Sequence, residues 1–365
     1  MIKQLKKITI QMVAGANLAT LLLMFLVGFS DRIQPVDYPM LSNVGLGFPV
    51  LLAANLGFLI FWLIFKTRMA LIPILGFIIC YVPVRKYSPL NIQHDIPDDA
   101  LKVLSYNVWL FDGWEDPDGD HSKNPILRYI ADQKADIVCL QEASTGEVPM
   151  EVIDSVLNKV YAHHDTIHAL RGGDILSVYS KYPILSHERI HYESKGNVSA
   201  GFYLNIKGRK VLVINNHLET TSLSPEDKEQ FKQLVKGDLE TDTAEKASKL
   251  LVVKLGEATK KRAPEADAVA EYIEKHKNMP IILCGDFNDS PISYARRTVA
   301  KSLTDCYVAT GNGPGISYHR NGFYVRIDHI MCSDHFEPYR CYIDKQISNS
   351  DHYPIICWLK MNVKP

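Results

Sequence analysis

The chain has 365 residues, 47% of them hydrophobic, and its 40 Lys and Arg nearly balance 41 Asp and Glu, for a formal net charge of -1 at pH 7. That length suits one large domain or two ordinary ones. The charge balance excludes a protein built mainly to coat nucleic acid, which would be strongly basic, but not an enzyme with a local cationic site.

Residues 1–100 hold 8 Lys and Arg and 5 Asp and Glu, so an apolar N-terminal part precedes a well-charged globular segment. Three stretches there carry no charge: residues 8–30, 40–65 and 69–84, of 23, 26 and 16 residues. A membrane span needs about 20 apolar residues, so the first two qualify and the third is short. Lys3, Lys6 and Lys7 resemble the n-region of a signal peptide. The run behind them is too long, however, lacks an A-x-A site and is followed at once by a second run. We read residues 1–86 as a membrane anchor.

Orientation follows from basic residues at the span ends. Lys3, Lys6 and Lys7 place the N-terminus inside; the loop 31–39, with one Arg, suits the outside; Lys66 and Arg68 suit the inside. If residues 69–84 span, everything after them lies outside, and Arg85 and Lys86 then stand on the wrong side. If that run is re-entrant, the globular part is cytoplasmic. Three spans are expected, because two leave a 16-residue apolar run without a place. The protein is therefore expected in the inner (plasma) membrane, with its globular domain on the periplasmic or extracytoplasmic side. Residues 87–100, with two Pro and three Asp, read as an exposed linker to a domain of residues 101–365.

In that domain short apolar runs alternate with helical stretches, without an internal repeat. The predicted strands are residues 102–106, 136–140, 176–179, 201–206, 210–215, 280–284, 327–332 and 353–359, all rich in Val, Ile, Leu or Tyr. One helix is expected at Asn124-Pro125 and another at Ser224-Pro225-Glu226-Asp227, each with a capping side chain before Pro in the first turn. Residues 221–277 form a long polar stretch of mixed charge. They read as a solvated helical hairpin, with a substrate lid or membrane-facing cap as the alternative, and Pro264 is expected to kink or restart the last helix. The seven cysteines show no metal-binding spacing, and nothing in their positions demands a disulfide.

The polar residues that matter stand at the ends of apolar strands. Val103-Leu104-Ser105-Tyr106 leads to Asn107, Ile137-Val138-Cys139-Leu140-Gln141 to Glu142, and Val211-Leu212-Val213-Ile214-Asn215-Asn216 to His217. Ile281-Ile282-Leu283-Cys284-Gly285 leads to Asp286, Phe287 and Asn288; Asp328 opens the run Asp328-His329-Ile330; Asp351-His352 precede the last strand. In a packed sheet such ends converge on one edge of a rigid scaffold. Carboxylate and amide oxygens suit Mg²⁺ or Mn²⁺, whereas zinc would want more His or Cys. Hard-metal ligands beside two imidazoles suit phosphoryl chemistry. Any one of these residues alone is more often a turn, a cap or a satisfied core group; the ordered set is not.

The set resembles the endonuclease/exonuclease/phosphatase superfamily, which includes DNase I-like nucleases, exonuclease III-like enzymes, bacterial sphingomyelinases and inositol polyphosphate 5-phosphatases. The matching pieces are Ser105-Tyr106-Asn107-Val108-Trp109, Leu140-Gln141-Glu142, Tyr179-Ser180-Lys181-Tyr182-Pro183-Ile184, Asn215-Asn216-His217-Leu218, Gly285-Asp286-Phe287-Asn288, Arg326-Ile327-Asp328-His329-Ile330 and Ser350-Asp351-His352-Tyr353-Pro354-Ile355. The resemblance implies a four-layer α/β sandwich, two mixed sheets face to face with helices outside and the site at one end. It also implies roles. Glu142 looks like the principal metal ligand, with Asn107 beside it and Asp351 on the metal side. Asp286 and Asn288 match the pair that orients water and phosphate. His352 matches the catalytic histidine, Asp328 its orienting carboxylate and His217 the second histidine, so Asn107, Asn288 and His217 are expected to touch substrate. Whether Asp286 or His352 takes the proton is open at this point.

Departures narrow the branch. Ser144 stands where exonuclease III-like enzymes usually carry a Lys, and residues 221–277 exceed the usual connection. Asp174 is a candidate partner for His217. The implied activity is a membrane-anchored, Mg²⁺- or Mn²⁺-dependent phosphoesterase. A phospholipid headgroup or small phosphodiester suits the bilayer tether and Trp109, Phe111 and Trp114 near the site. A nuclease is the alternative, and a catalytically dead tethered module the rival from another class.

Overall fold

The computed structural model describes residues 2–112, 119–144, 148–221 and 223–362. One sheet contains β1 (Leu101–Asn107), β2 (Ile137–Gln141), β3 (His163–His168), β4 (Ile175–Ser180), β11 (Phe336–Ile343) and β12 (Ile355–Met361), in the order β11-β12-β1-β2-β4-β3. The other contains β5 (Ile184–Arg189), β6 (Val198–Ile206), β7 (Arg209–His217), β8 (Ile281–Asp286), β9 (Thr304–Asp305) and β10 (Asp328–Cys332), in the order β5-β6-β7-β8-β10-β9. Each sheet has one parallel pair, β1–β2 and β7–β8, among antiparallel neighbours.

The sheets pack face to face through Val103, Val178, Phe202, Val213, Ile282 and Ile355, all buried. Their outer faces are covered by helices. Ile126, Ile130 and Ile153, from α6 (Pro125–Gln133) and α7 (Met150–Leu157), close the first. Ala266, Val269 and Ile273, from α9 (Thr241–Lys275), close the second. The result is a four-layer α/β sandwich of the DNase I-like type. Emptying such a core hurts: Phe202→Ala would cost about 3–5 kcal/mol.

Local signals act as the sequence implies. Asn124 Oδ1 accepts from the amides of Ile126 and Leu127, with Pro125 in the first turn. Ser224 and Asp227 form a reciprocal capping box at α8 (Pro225–Lys236). Pro264 does not restart a helix. It lies inside the single helix α9, whose packing against β7 and β8 outweighs one lost backbone bond.

In the N-terminal part, α1 (Ile2–Gly28) and α3 (Phe48–Phe65) belong to two segments long and apolar enough to cross a membrane, Lys3–Arg32 and Pro39–Phe65. Between them lies the short α2 (Pro39–Ser42). The third apolar run forms α4 (Leu71–Ile79) and α5 (Tyr81–Tyr87), bent by 70° at Cys80 within the segment that opens at Thr67, the geometry of a broken span or a re-entrant loop. Pro83 explains the break: its ring clashes with the carbonyl four residues back and offers it no N–H. A buried polar chain ties these helices together. Trp62 Nε1 donates to Asn17 Oδ1 at 3.1 Å, and Asn55 Nδ2 donates to the Pro73 carbonyl at 3.0 Å. Such bonds hold apolar helices together where no water competes.

The N-terminal helices and the sandwich interlock. Lys86 pairs with buried Asp31, and Arg85 donates to the Val308 carbonyl at 2.8 Å in α11 (Cys306–Thr310). Arg326, fully enclosed, donates to the carbonyls of Lys86, Tyr87 and Pro314. Residues 88–99 are exposed in part, with Pro89 buried, and they are pinned: Asn91 donates to the carbonyls of Val308 and Gly311. All seven cysteines are buried free thiols.

Candidate active site

The site forms because register aligns chemistry across neighbouring strands. In one sheet His217 pairs with Asp286 across the parallel β7–β8 ladder, and Asp286 pairs with Asp328 across antiparallel β8–β10. In the other, Asn107 pairs with Gln141 at the ends of β1 and β2, next to Glu142. Gln141 Nε2 crosses between the sheets to Asn215 Oδ1 at 2.7 Å and fixes their relative position beneath the site. Gly285 makes the β7–β8 approach possible. Its φ is +151°, and a Cβ there would stand 2.1 Å from the Asn216 carbonyl oxygen.

Each imidazole is oriented from behind by a carboxylate. His352 Nδ1 lies 2.8 Å from Asp328 Oδ2, and His217 Nδ1 lies 2.9 Å from Asp174 Oδ2. Each ring therefore turns Nε2 inward, toward the same oxygen: Asp286 Oδ2 is 3.6 Å from His352 Nε2 and 3.7 Å from His217 Nε2. Burial opposes charge on both rings, but the surrounding carboxylates outweigh it. Asp174, Asp286 and Glu142 lift His217 to about 10, and Asp328, Asp286 and Asp351 hold His352 well above its ordinary value. Burial pushes Asp286 up to about 6, reinforced by Asp328 and resisted by the two imidazoles.

The remaining expected residues come to the same place. Asn288, at φ +50°, donates its amide to Asp286 Oδ1 at 2.7 Å and its side chain to the Leu218 carbonyl at 3.1 Å. Glu142 also has a positive φ, +51°, and its Oε1 lies 3.6 Å from His217 Nε2. Asp351 lies 3.9 Å from His352 Nε2 and lines the cavity in front of the ring. Asn107 Nδ2 donates to Glu142 Oε1 at 3.0 Å and to Asp286 Oδ2 at 3.1 Å, while its Oδ1 accepts from the Trp109 amide at 3.1 Å. In this arrangement it spaces the two carboxylates, and binding a cation directly would require the amide to turn, because Nδ2 and not Oδ1 faces Glu142.

The donor set fits a hard cation. Glu142, Asp286 and Asp351 offer carboxylate oxygens to the cavity. Asp286, Asp328 and His352 also offer atoms within 4.8 Å of one another. Since Asp328 already binds His352 at 2.8 Å, those two read better as an oriented imidazole than as a pair of free ligands.

A cavity of about 270 Å³ opens from these groups. Sequence reasoning missed several of its walls. Tyr318 packs edge-on to His352, with ring centroids 5.1 Å apart, and accepts from Lys228 Nζ at 3.3 Å. Arg262, buried, pairs with Asp289 at 2.8 Å. Lys228 and Arg262 come from residues 221–277, so that stretch is no simple solvated hairpin: it roofs the site. Trp109 lines the cavity, whereas Phe111 is buried in the core beneath α6; Trp114 lies outside the described residues.

Residues 104–352 match the endonuclease/exonuclease/phosphatase family. The chain belongs to that family. Residues 10–87 match a domain of unknown function, DUF8431. No curated protein matches the chain. Among solved structures, the chain is similar to the human Nocturnin catalytic domain with bound sulfate anion (16% identity, 73% of this chain and 97% of that one, TM-score 0.53). It is also similar to sphingomyelinase C from Streptomyces griseocarneus (17% identity, 71% and 99%, TM-score 0.51). A third is an endonuclease/exonuclease/phosphatase from Beutenbergia cavernae (16% identity, 72% of each chain, TM-score 0.50). At these identities the likeness is one of fold. The family places the chain among phosphoester hydrolases, and the match leaves out the N-terminal apolar helices.

Proposed function

We propose that the protein is a membrane-anchored phosphoesterase that uses Mg²⁺ or Mn²⁺ and cleaves its substrate by in-line attack of water. The observation that carries this reading is the pair of imidazoles, each braced by a buried carboxylate, that address Asp286 Oδ2 from 3.6 and 3.7 Å. The cation would be held by Glu142 with Asp351 and, after its amide turns, Asn107; bound there it would offset phosphate charge. The residues themselves divide the work. Each imidazole is turned by its carboxylate to present Nε2 inward, and those carboxylates favour the protonated ring, so we assign the two rings as proton donor and charge stabiliser. The general base is then Asp286, steadied by the Asn288 amide at 2.7 Å. Water oxygen bonds to phosphorus as its proton passes to Asp286. The bond from phosphorus to the leaving oxygen breaks, and that oxygen takes a proton from one imidazole while the other stabilises phosphoryl charge.

The test is hydrolysis of bis-p-nitrophenyl phosphate, p-nitrophenyl phosphate, plasmid DNA and sphingomyelin by the purified full chain. Turnover with Mg²⁺ that vanishes in excess EDTA is expected, and Glu142→Gln should weaken metal affinity most. Full activity in EDTA would remove the metal from the mechanism; no turnover of any substrate would remove the hydrolase reading. The nuclease alternative draws less support, from Ser144 in place of a Lys and from the balanced net charge.

The reading includes three crossings, with the catalytic domain on the extracytoplasmic face. Lys3, Lys6, Lys7 and Lys66 line one cleft at the end of the helices where α1 begins and α3 finishes. The opposite end, where Gly28, Phe48 and Pro83 meet, abuts the sandwich. Each of the three segments thus runs between a basic end and the catalytic end, in keeping with basic residues staying inside. Arg85 and Lys86, which stand against this orientation in the sequence, are occupied by Val308 and Asp31 and are not free basic residues of a loop. Alkaline phosphatase fused after Pro365 should therefore be active. An inactive fusion together with a fluorescent C-terminal reporter would mean a cytoplasmic domain.

A further inference from the structure

The cavity continues beyond the catalytic groups into a chamber whose far walls do not belong to the sandwich. Asn43 and Leu46 reach it from the loop between α2 and α3, and Leu255 and Thr259 reach it from α9. These walls are joined: Thr259 Oγ1 donates to Asn43 Oδ1 at 2.9 Å, and a Cβ at Gly256 would stand only 3.3 Å from the Pro39 carbonyl carbon. Leu46 lies in the first part of Pro39–Phe65, a segment long and apolar enough to cross a membrane, two residues before α3, and in the three-crossing reading this wall would stand at the bilayer surface. Leu46 is 40% exposed, and Leu41 beside it and Leu250 and Val253 on α9 are exposed as well.

The chamber therefore has both polar and apolar walls. On the polar side are Glu142, Asp286, Asp351 and His352; Lys228 stands on Tyr318, and buried Arg262 has an unpartnered Nη2. On the apolar side Leu46 comes from the turn before α3, Leu255 from α9, and Phe323 stacks on Phe231 of α8 with ring centroids 4.0 Å apart. We infer that the substrate is an amphipathic phosphoester: a membrane lipid whose phosphate reaches the catalytic groups while the first part of its hydrocarbon lies against Leu46, Leu255 and Phe323. This inference rests on the phosphoesterase reading. The volume supports a partial withdrawal from the bilayer. At about 270 Å³ the chamber is just below the range of small-molecule pockets and holds a headgroup and a few methylenes, leaving the rest of the chain in the leaflet. A nucleic-acid duplex is a poor occupant, because it would need many cations along a groove. Among the chamber's described cations Arg262 already pairs with Asp289.

The decisive comparison uses two esters with the same scissile bond, p-nitrophenyl hexadecyl phosphate and p-nitrophenyl ethyl phosphate, with the full chain in maltoside micelles and Mg²⁺. The wild type should prefer the hexadecyl ester in kcat/KM by at least about tenfold, as burial of several methylenes requires. Leu46→Asp should reduce that preference by about tenfold, and Leu255→Gln, a milder change, should reduce it in the same direction. Leu185→Asp, on the remote edge strand β5, should leave both rates and their ratio unchanged. Because micelle partitioning is the same for every variant, an unchanged ratio in Leu46→Asp and Leu255→Gln would overturn the lipid inference. So would faster cleavage of plasmid DNA than of the hexadecyl ester. Turnover of the ethyl ester without chain preference would sink this inference alone, whereas no turnover of either ester would sink the phosphoesterase reading with it.

Discussion

Asp286→Asn should lower kcat on bis-p-nitrophenyl phosphate by about 10³-fold or more, with KM little changed and the fold intact. No other side chain touches so much of the site: Asp286 faces both Nε2 atoms, accepts from Asn107 Nδ2 at 3.1 Å and is fixed by the Asn288 amide. The amide keeps the shape and can still accept from Asn288, so positioning survives. Two things are lost, the site that accepts the water's proton and the negative charge that helps keep both imidazoles protonated. A single general acid or base is worth about 10²–10⁴ in rate, and loss of the second effect adds to the first. Stability should move the other way. Burial raises the carboxyl of Asp286 to about 6, so its ionisation disfavours the folded state, and the stability it contributes is lost as pH rises through that value. The Asn variant should therefore melt no lower than wild type at pH 8. A fall in kcat of less than tenfold would move the base to another group, with His352 the next candidate.

How much of this was legible in the sequence depends on where each residue lies in the sheets. All eight predicted strands are present, and they are the interior ones. Ile137–Gln141 is buried at every position because core lies on both faces, so it reads as an unbroken apolar run. The four strands that escape prediction, β3, β5, β9 and β11, are the four sheet edges. An edge strand is half solvated and carries polar residues that guard against pairing with other chains. His163–His168 and Ile184–Arg189, with one buried position between them, follow that rule and so lose any strand signal.

The site divides in the same manner. Asn107, Glu142, His217, Asp286, Asn288, Asp328, Asp351 and His352 were visible because each follows or opens an apolar run, and the ladder that pairs Asp286 with both His217 and Asp328 brings them together. Asp174 could only be a candidate until β4 fixed its register; the structure gives it to His217 at 2.9 Å. Lys228, Arg262, Tyr318 and Asn43 carry no local signal at all. They reach the cavity through contacts between segments up to about two hundred residues apart, such as Thr259 with Asn43, which no periodicity encodes. Phe111 shows the opposite error: an aromatic close in sequence to the site is turned into the core, because the chain doubles back under Trp109 with three successive positive φ values.

His217→Ala and His352→Ala should each lower kcat by about 10²–10⁴, and the double variant should lose less than the product of the two. The reason lies in the geometry of Asp286. Its Oδ2 is nearly equidistant from the two Nε2 atoms, so in the proposed reaction both imidazoles would address one phosphorus centre, and each helps set the charge on the same carboxylate. Removing either ring leaves Asp286 with one cation instead of two and changes the base as well as the acid, so part of the second loss has already been incurred with the first. Groups that act as a unit behave in this non-additive way. The two positions are not equivalent in support: His352 is braced by Asp328, which β8 holds in register beside Asp286, while His217 depends on Asp174, which a loop delivers next to β4. His352→Ala should accordingly be the more damaging. The measurement is kcat for both single variants and the double at saturating Mg²⁺, with circular dichroism to verify folding. Fully multiplicative losses would mean that the rings serve separate steps. An unchanged kcat in His217→Ala would make that residue a structural partner of Asp174 and leave His352 as the sole catalytic imidazole.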